Sequence, residues 1–141
     1  MNTSVRLREH IHLHADLARM SGLGRRIRAF SAGGEAPDAS IAGLELAVHE
    51  IAVNIIRHAY ADFDSGWIDI RLSCDDRDVI VVLEDQGAPF DPAKVVDPNL
   101  AIPHEGGYGL YLARQLVDDL DYRRIASTNQ WKLRVTRGFQ S

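Results

Sequence analysis

The sequence has one cysteine, a formal charge of only -4 and no apolar run approaching the length of a membrane span. Each scarcity removes a class of protein. The lone Cys74 cannot close an internal disulfide, and no CxxC partner or adjacent histidine makes it a reactive thiol. Mild acidity, without a block of Lys and Arg able to replace phosphate counterions, leaves no electrostatic case for nucleic acid. A spanning helix needs about 20 predominantly apolar residues, and the N-terminal MNTSVRLREH lacks the apolar stretch of a signal peptide. No membrane role is expected, and the cytoplasm is the natural compartment. What is present, 45% apolar and 26% charged residues over 141 positions, suits one globular domain spanning residues 1–141.

Periodicity then divides the chain. In residues 5–15, Val5, Leu7, Ile11, Leu13 and Ala15 alternate with Arg6, Arg8, His10, His12 and His14, the pattern of a half-exposed strand. Leu17, Met20, Leu23, Ile27 and Phe30 recur at threes and fours, which predicts a helix over 17–30 that Gly22 and Gly24 weaken. The turn-rich residues 31–40 close it, with Asp38 or Ser40 placed to cap the next helix. Residues 67–74 and 79–85 form a hairpin pattern around the polar 75–78. Residues 86–105 hold four of the five prolines and read as a loop. Helical spacing resumes at Gly107 and runs through Leu120, and a last hairpin pairs YRRIA with WKLRVTR. Strand pairs alternating with helices predict an α+β, two-layer sandwich, its mostly antiparallel sheet covered on one face by helices.

The helix over 45–60, ELAVHEIAVNIIRHAY, carries Glu50, Asn54 and His58 at intervals of four. Four residues advance about 400° on an α-helix, so the trio forms a slowly drifting polar stripe. Val48, Ile51, Ala52, Ile55 and Ala59 form the neighbouring apolar stripe, leaving the trio at the edge of the buried face. A carboxylate and an amide there need partners. Solvent and a nearby carbonyl are one answer, with His58 near the helix's C-terminal dipole, and a ligand is another. Two further segments bear on the choice. In EDQGAPFD, Asp85 ends an apolar strand two residues before Gly87, so a carboxylate can accept from an exocyclic amine where a flat ring approaches the backbone. In HEGGYGLYLARQL, Gly106, Gly107 and Gly109 precede a helix, where free N–H groups and the helix dipole receive phosphate. Taken singly, each segment also suits an ordinary turn.

In that order and spacing the three segments resemble the N-box and glycine boxes of the Bergerat-fold ATP-binding domain shared by DNA gyrase, sensor histidine kinases and MutL. HEIAVNIIRHAY, EDQGAPFDP, GGYGLYLARQLVDDLDY and NQWKLRV are most similar to the anti-sigma factor serine/threonine kinases of bacterial partner-switching systems. The resemblance implies Mg²⁺ held by Asn54, adenine recognised by Asp85 beside Gly87, phosphates received by Gly106, Gly107 and Gly109, and Glu50 as general base on a partner's serine hydroxyl. His58 would support the cofactor site, and residues 88–105 would form the ATP lid. ATP or ADP and Mg²⁺ are then the cofactors, and a STAS-type anti-anti-sigma protein and a sigma factor or similar target the partners. Homodimers are common in that family. The alternative is a nucleotide-gated binding module with little or no kinase activity.

Two departures qualify the likeness. Ala88 and Pro89 stand where the first glycine box has its second glycine, and no upstream helix pair with a phosphoacceptor histidine is present, which argues against histidine-directed phosphorylation. Elsewhere, the alternating histidines of HIHLH share a strand face, but no carboxylate or fourth ligand is evident beside them in sequence. Arg25, Arg26 and Arg28 read as a solvated helix face, and Trp67 and Trp131 as core or sheet-edge residues.

Overall fold

Alternation of apolar and polar residues builds the sheet, and the computed structural model, which describes residues 7–33, 38–91 and 108–136, shows five strands. They are β1 (Leu7–His14), β2 (Trp67–Cys74), β3 (Asp78–Asp85), β4 (Asp119–Ile125) and β5 (Thr128–Thr136), paired throughout antiparallel in the order β1-β2-β3-β5-β4. Because side chains alternate across a strand, Ile68, Ile70 and Leu72 of β2, Val79, Val81 and Leu83 of β3 and Trp131, Leu133 and Val135 of β5 are all buried on one face. Leu83 lies opposite both Ile70 and Trp131, at the centre of this layer. Each such side chain contributes about 1.5–3 kcal/mol through burial.

Among the described residues, three helices cover that face: α1 (Leu23–Gly33), α2 (Asp38–Asn54) and α3 (Tyr108–Leu116). α2 packs against α1, α3 and β5, and its Leu44, Ala47, Val48, Ile51 and Ala52 have no solvent exposure. With the turn that extends it, the segment Ala39–Ala59 is 21 residues long and apolar enough by length and composition to cross a membrane, which inspection of the sequence missed. Its apolar stripe is turned onto the sheet, as in the core helix of a two-layer domain.

Several boundaries differ from the sequence reading. The helix expected over 17–30 is broken: Leu17–Met20 form a separate 3₁₀ turn capped by Asp16, and Gly22 adopts φ +91° before α1 begins. A left-handed backbone of that kind is one only glycine adopts readily. Asp38 already begins α2, so Ser40 lies inside the helix. The last helix stops at Leu116 rather than continuing through Leu120, which lies on β4 and contacts the core. Asp118 fastens that change of direction, its N–H donating to the Arg134 carbonyl and its carboxylate accepting from the Thr136 N–H.

Candidate functional site

The C-terminal end of α2 does not continue as an α-helix. Ile55–Ala59 form a wider π-helical turn, in which the Tyr60 N–H reaches back five residues to the Ile55 carbonyl at 3.0 Å. Such single wide turns insert a residue into the helical count and re-aim the side chains beyond them. Glu50 and Asn54 keep their α-helical spacing and are both half-buried, whereas His58 is carried round on the wide turn and is exposed. The turn also leaves the Ala59 carbonyl to accept the Ala88 N–H at 2.7 Å, tying the end of α2 to the residues after β3. Tyr60 adds a second tie, donating to the Trp67 carbonyl at 2.8 Å and accepting from the Gln86 N–H at 2.9 Å. Burial pushes the Tyr60 phenol above its ordinary pKa.

Gly87 sits where this junction is tightest. A Cβ there would overlap the carbonyl carbon and oxygen of Ala59, backbone atoms that cannot swing aside. Gly87→Ala is therefore expected to lower unfolding free energy by about 1–3 kcal/mol, measured by denaturant titration, and an unchanged midpoint would show that the junction is looser than this packing implies.

Asp85, the last residue of β3, lines a cavity together with Tyr60 and Gln86 and is only 2% exposed. Its Oδ1 accepts from the Gly87 N–H at 2.9 Å and from Asn129 Nδ2 at 2.8 Å, while its Oδ2 is buried with no hydrogen-bond partner among the described residues. Desolvation raises its pKa above the usual carboxylate range; the Asn129 and Gly87 hydrogen bonds and the nearby Arg124 charge offset this only in part. A buried acceptor left open is costly and suits a site waiting for a donor. On the other side, Gly109 in the first turn of α3 packs so closely on the Glu50 carboxylate that a Cβ would collide with it. The fold thus places Asp85 and Gly87 at the end of α2, and Gly109 against Glu50. Gly106, Gly107 and residues 92–105 of the lid expected over 88–105 lie outside the described residues.

Asn129 could have been found only by knowing the strand register, since it pairs with Asp85 across β3 and β5 from 44 residues away. The same holds for Asp69, the carboxylate that sequence inspection did not find beside HIHLH: β1–β2 pairing sets it opposite His12. Its Oδ1 lies 3.0 Å from His10 Nε2 and 2.7 Å from His12 Nδ1. Partial burial would raise its pKa, but these hydrogen bonds outweigh that and hold it below the ordinary value. Trp67 is stacked between His12 and His14, with ring centroids 4.2 and 4.0 Å away, on the open face of the sheet. A cavity of about 510 Å³ lined by Met20, Leu23, Arg28, Glu45 and His49 lies between α1 and α2, away from Asp85. The chemistry of Asp85, rather than volume, locates the candidate site.

Comparison with known proteins identifies the family and the fold. The pattern of the histidine kinase-like ATPase domain family matches residues 13–137. The chain is 34% identical over 89 residues to the serine-protein kinase RsbW of Oceanobacillus iheyensis, covering 57% of this chain and 56% of that one. It is 33% identical over 94 residues to the serine/threonine-protein kinase BtrW of Bordetella bronchiseptica, covering 64% and 66%. The matches thus span little more than half the length of the RsbW kinases. Among solved structures, the RsbU and RsbW domains of Rv1364c from Mycobacterium tuberculosis superpose with a TM-score of 0.68 at 22% identity, covering 94% of this chain and 34% of that one. The fold expected from sequence, helices on one face of an antiparallel sheet in the ATPase-domain arrangement, is the one observed.

Proposed function

Because the chain belongs to the histidine kinase-like ATPase domain family, we propose that it binds ATP between α2 and the end of β3 and transfers the γ-phosphoryl group to a serine or threonine of a partner protein. The observation that carries this reading is Asp85, whose one oxygen is saturated by Gly87 and Asn129 and whose other is buried without a partner among the described residues. The exocyclic amine of adenine supplies the donor that Oδ2 lacks. Gly87, lacking a Cβ, lets the base approach the backbone. The backbone around Gly106, Gly107 and Gly109, ahead of and within the first turn of α3, receives the phosphates.

Glu50 is the general base of this proposal. Its carboxylate, packed against Gly109 at the phosphate end of the site, takes the proton of the incoming hydroxyl as the new O–P bond forms. The bond to the β-phosphate oxygen breaks and ADP leaves. Asn54, one turn along α2, offers a neutral amide oxygen of the hard type that Mg²⁺ accepts, and the ion when bound would neutralise phosphate charge. His58 stands in a supporting role from the exposed wide turn.

Similarity to the RsbW and BtrW kinases supports a protein substrate. The partner we propose is a STAS-type anti-anti-sigma protein, with a sigma factor or comparable regulator held in the alternate state. Incubating the chain and such a partner with γ-labelled ATP tests the reading, and label is expected on the partner. Saturable nucleotide binding with no labelled partner would leave a nucleotide-gated binding module instead.

A further inference from the structure

Three residues of the β4–β5 hairpin that the sequence does not assign to the site, Asn129, Tyr122 and Arg124, gather beside Asp85, together with Phe90 from the turn after β3. Asn129, 1% exposed, donates through Nδ2 to Asp85 Oδ1 at 2.8 Å and to the Ala88 carbonyl at 2.9 Å. Its Oδ1 accepts from the Tyr122 hydroxyl at 2.5 Å and from Arg124 at 2.9 Å. Two donors on the oxygen leave the amide only one orientation, with its NH₂ toward Asp85. Arg124 also donates to the Gly87 carbonyl at 3.0 Å, and the Phe90 N–H donates to the Tyr122 hydroxyl at 3.0 Å. The Phe90 ring packs against Tyr122 and Trp131, with centroids 5.2 and 5.0 Å away.

Every hydrogen-bonding position of the Asn129 amide is thereby occupied within the protein, so it does not itself read a ligand. We propose that Asn129 is a positioning residue that sets base selectivity: held by Tyr122 and Arg124, it saturates Asp85 Oδ1 and leaves Oδ2 as an obligate acceptor, which admits a base edge bearing a donor and rejects one bearing a carbonyl. The inference rests on the reading of Asp85 as the base-recognising group. The hairpin that carries Asn129 also holds Gly87, Ala88 and Phe90, so the base acceptor and the root of the segment after β3 are fixed together.

Loss of the Asn129 donor changes the electrostatics in a known direction. Desolvation raises the Asp85 pKa, and the Asn129 hydrogen bond, the Gly87 N–H and the Arg124 charge each pull it back in part; the Tyr60 phenol, from the end of α2, is the other titratable group that interacts with it. With Asn129 gone, Asp85 takes up a proton at higher pH, and a protonated Oδ2 is a donor.

The test is calorimetric binding of ATP and of inosine triphosphate, which has a carbonyl in place of the exocyclic amine, across a pH series. The proteins are the wild type, Asn129→Leu, Tyr122→Phe and Asp85→Asn. The wild type is expected to prefer ATP. Asn129→Leu should reduce the ATP-to-inosine-triphosphate affinity ratio about 10-fold or more, the scale of a hydrogen bond to a charged group, and move the acid limit of ATP binding to higher pH. Tyr122→Phe keeps the ring packing but removes a donor that orients the amide, and should lower the ratio in the same direction by less. Melting curves identify a variant that fails to fold, and if Asn129→Leu fails, Tyr122→Phe decides. An unchanged ratio and acid limit in the folded variants overturns the role of Asn129 alone. A wild type without preference, or an Asp85→Asn protein with the wild-type ratio, overturns the reading of Asp85 and this proposal with it.

Discussion

Asp85→Asn is expected to lower ATP affinity by about 100-fold or more while raising the melting temperature of the nucleotide-free protein near neutral pH. Both effects come from one arrangement. Gly87 N–H and Asn129 Nδ2 donate to the position of Oδ1, so the amide oxygen of the variant must stay there. Its NH₂ then takes the place of the unpartnered Oδ2 and meets the amine of adenine donor to donor. The stability effect comes from the ionised form. Burial raises the native pKa of Asp85 above that of the unfolded chain, so the native state binds the proton more tightly. Wild-type stability therefore falls as pH rises from the ordinary carboxylate value, about pH 4, through the native pKa, and stays lower above it. The variant lacks that decline. Calorimetric titration and thermal melts over a pH series measure both, and a variant that binds ATP normally or melts lower near neutral pH contradicts the account.

Glu50→Gln is expected to reduce phosphotransfer by about 10² to 10⁴-fold, the usual contribution of a positioned general base, with ATP binding retained. Gln preserves the shape that fits against Gly109, so the substitution removes proton acceptance and leaves the packing. Glu50 lies one helical turn before Asn54 on α2. A loss confined to the chemical step, seen as slow labelling of the partner at saturating ATP, identifies it as the base. Transfer at the wild-type rate would place that function on another residue.

Much of this arrangement was visible in the sequence, and what was hidden had particular causes. Alternation over 67–74 and 79–85 reports burial of one sheet face directly, and the strands lie there to within a residue. The spacing of Glu50 and Asn54 likewise survives, because both precede the wide turn. Leu116, Val117 and Leu120 satisfied a helical period, yet Leu120 and Tyr122 alternate equally well as β4, and tertiary pairing with β5 decided the matter. Gly22 was recognised as a weakness in a helix but is a break, since its backbone is left-handed. The π-helical turn leaves no periodic trace over five residues. Asn129 and Asp69 became legible only with strand register, because hydrogen bonds between strands distant in sequence select them, and Tyr122 and Arg124 enter through their bonds to Asn129 within the β4–β5 hairpin.

The most direct test of the central claim is calorimetric titration of the wild-type chain with ATP and ADP, each with and without Mg²⁺, repeated on Asn54→Ala. The predicted result is saturable binding of one nucleotide per chain that Mg²⁺ strengthens in the wild type and leaves unaltered in Asn54→Ala. Absence of saturable binding under every condition would contradict the account, leaving an ATPase-domain fold whose pocket at Asp85 serves no nucleotide.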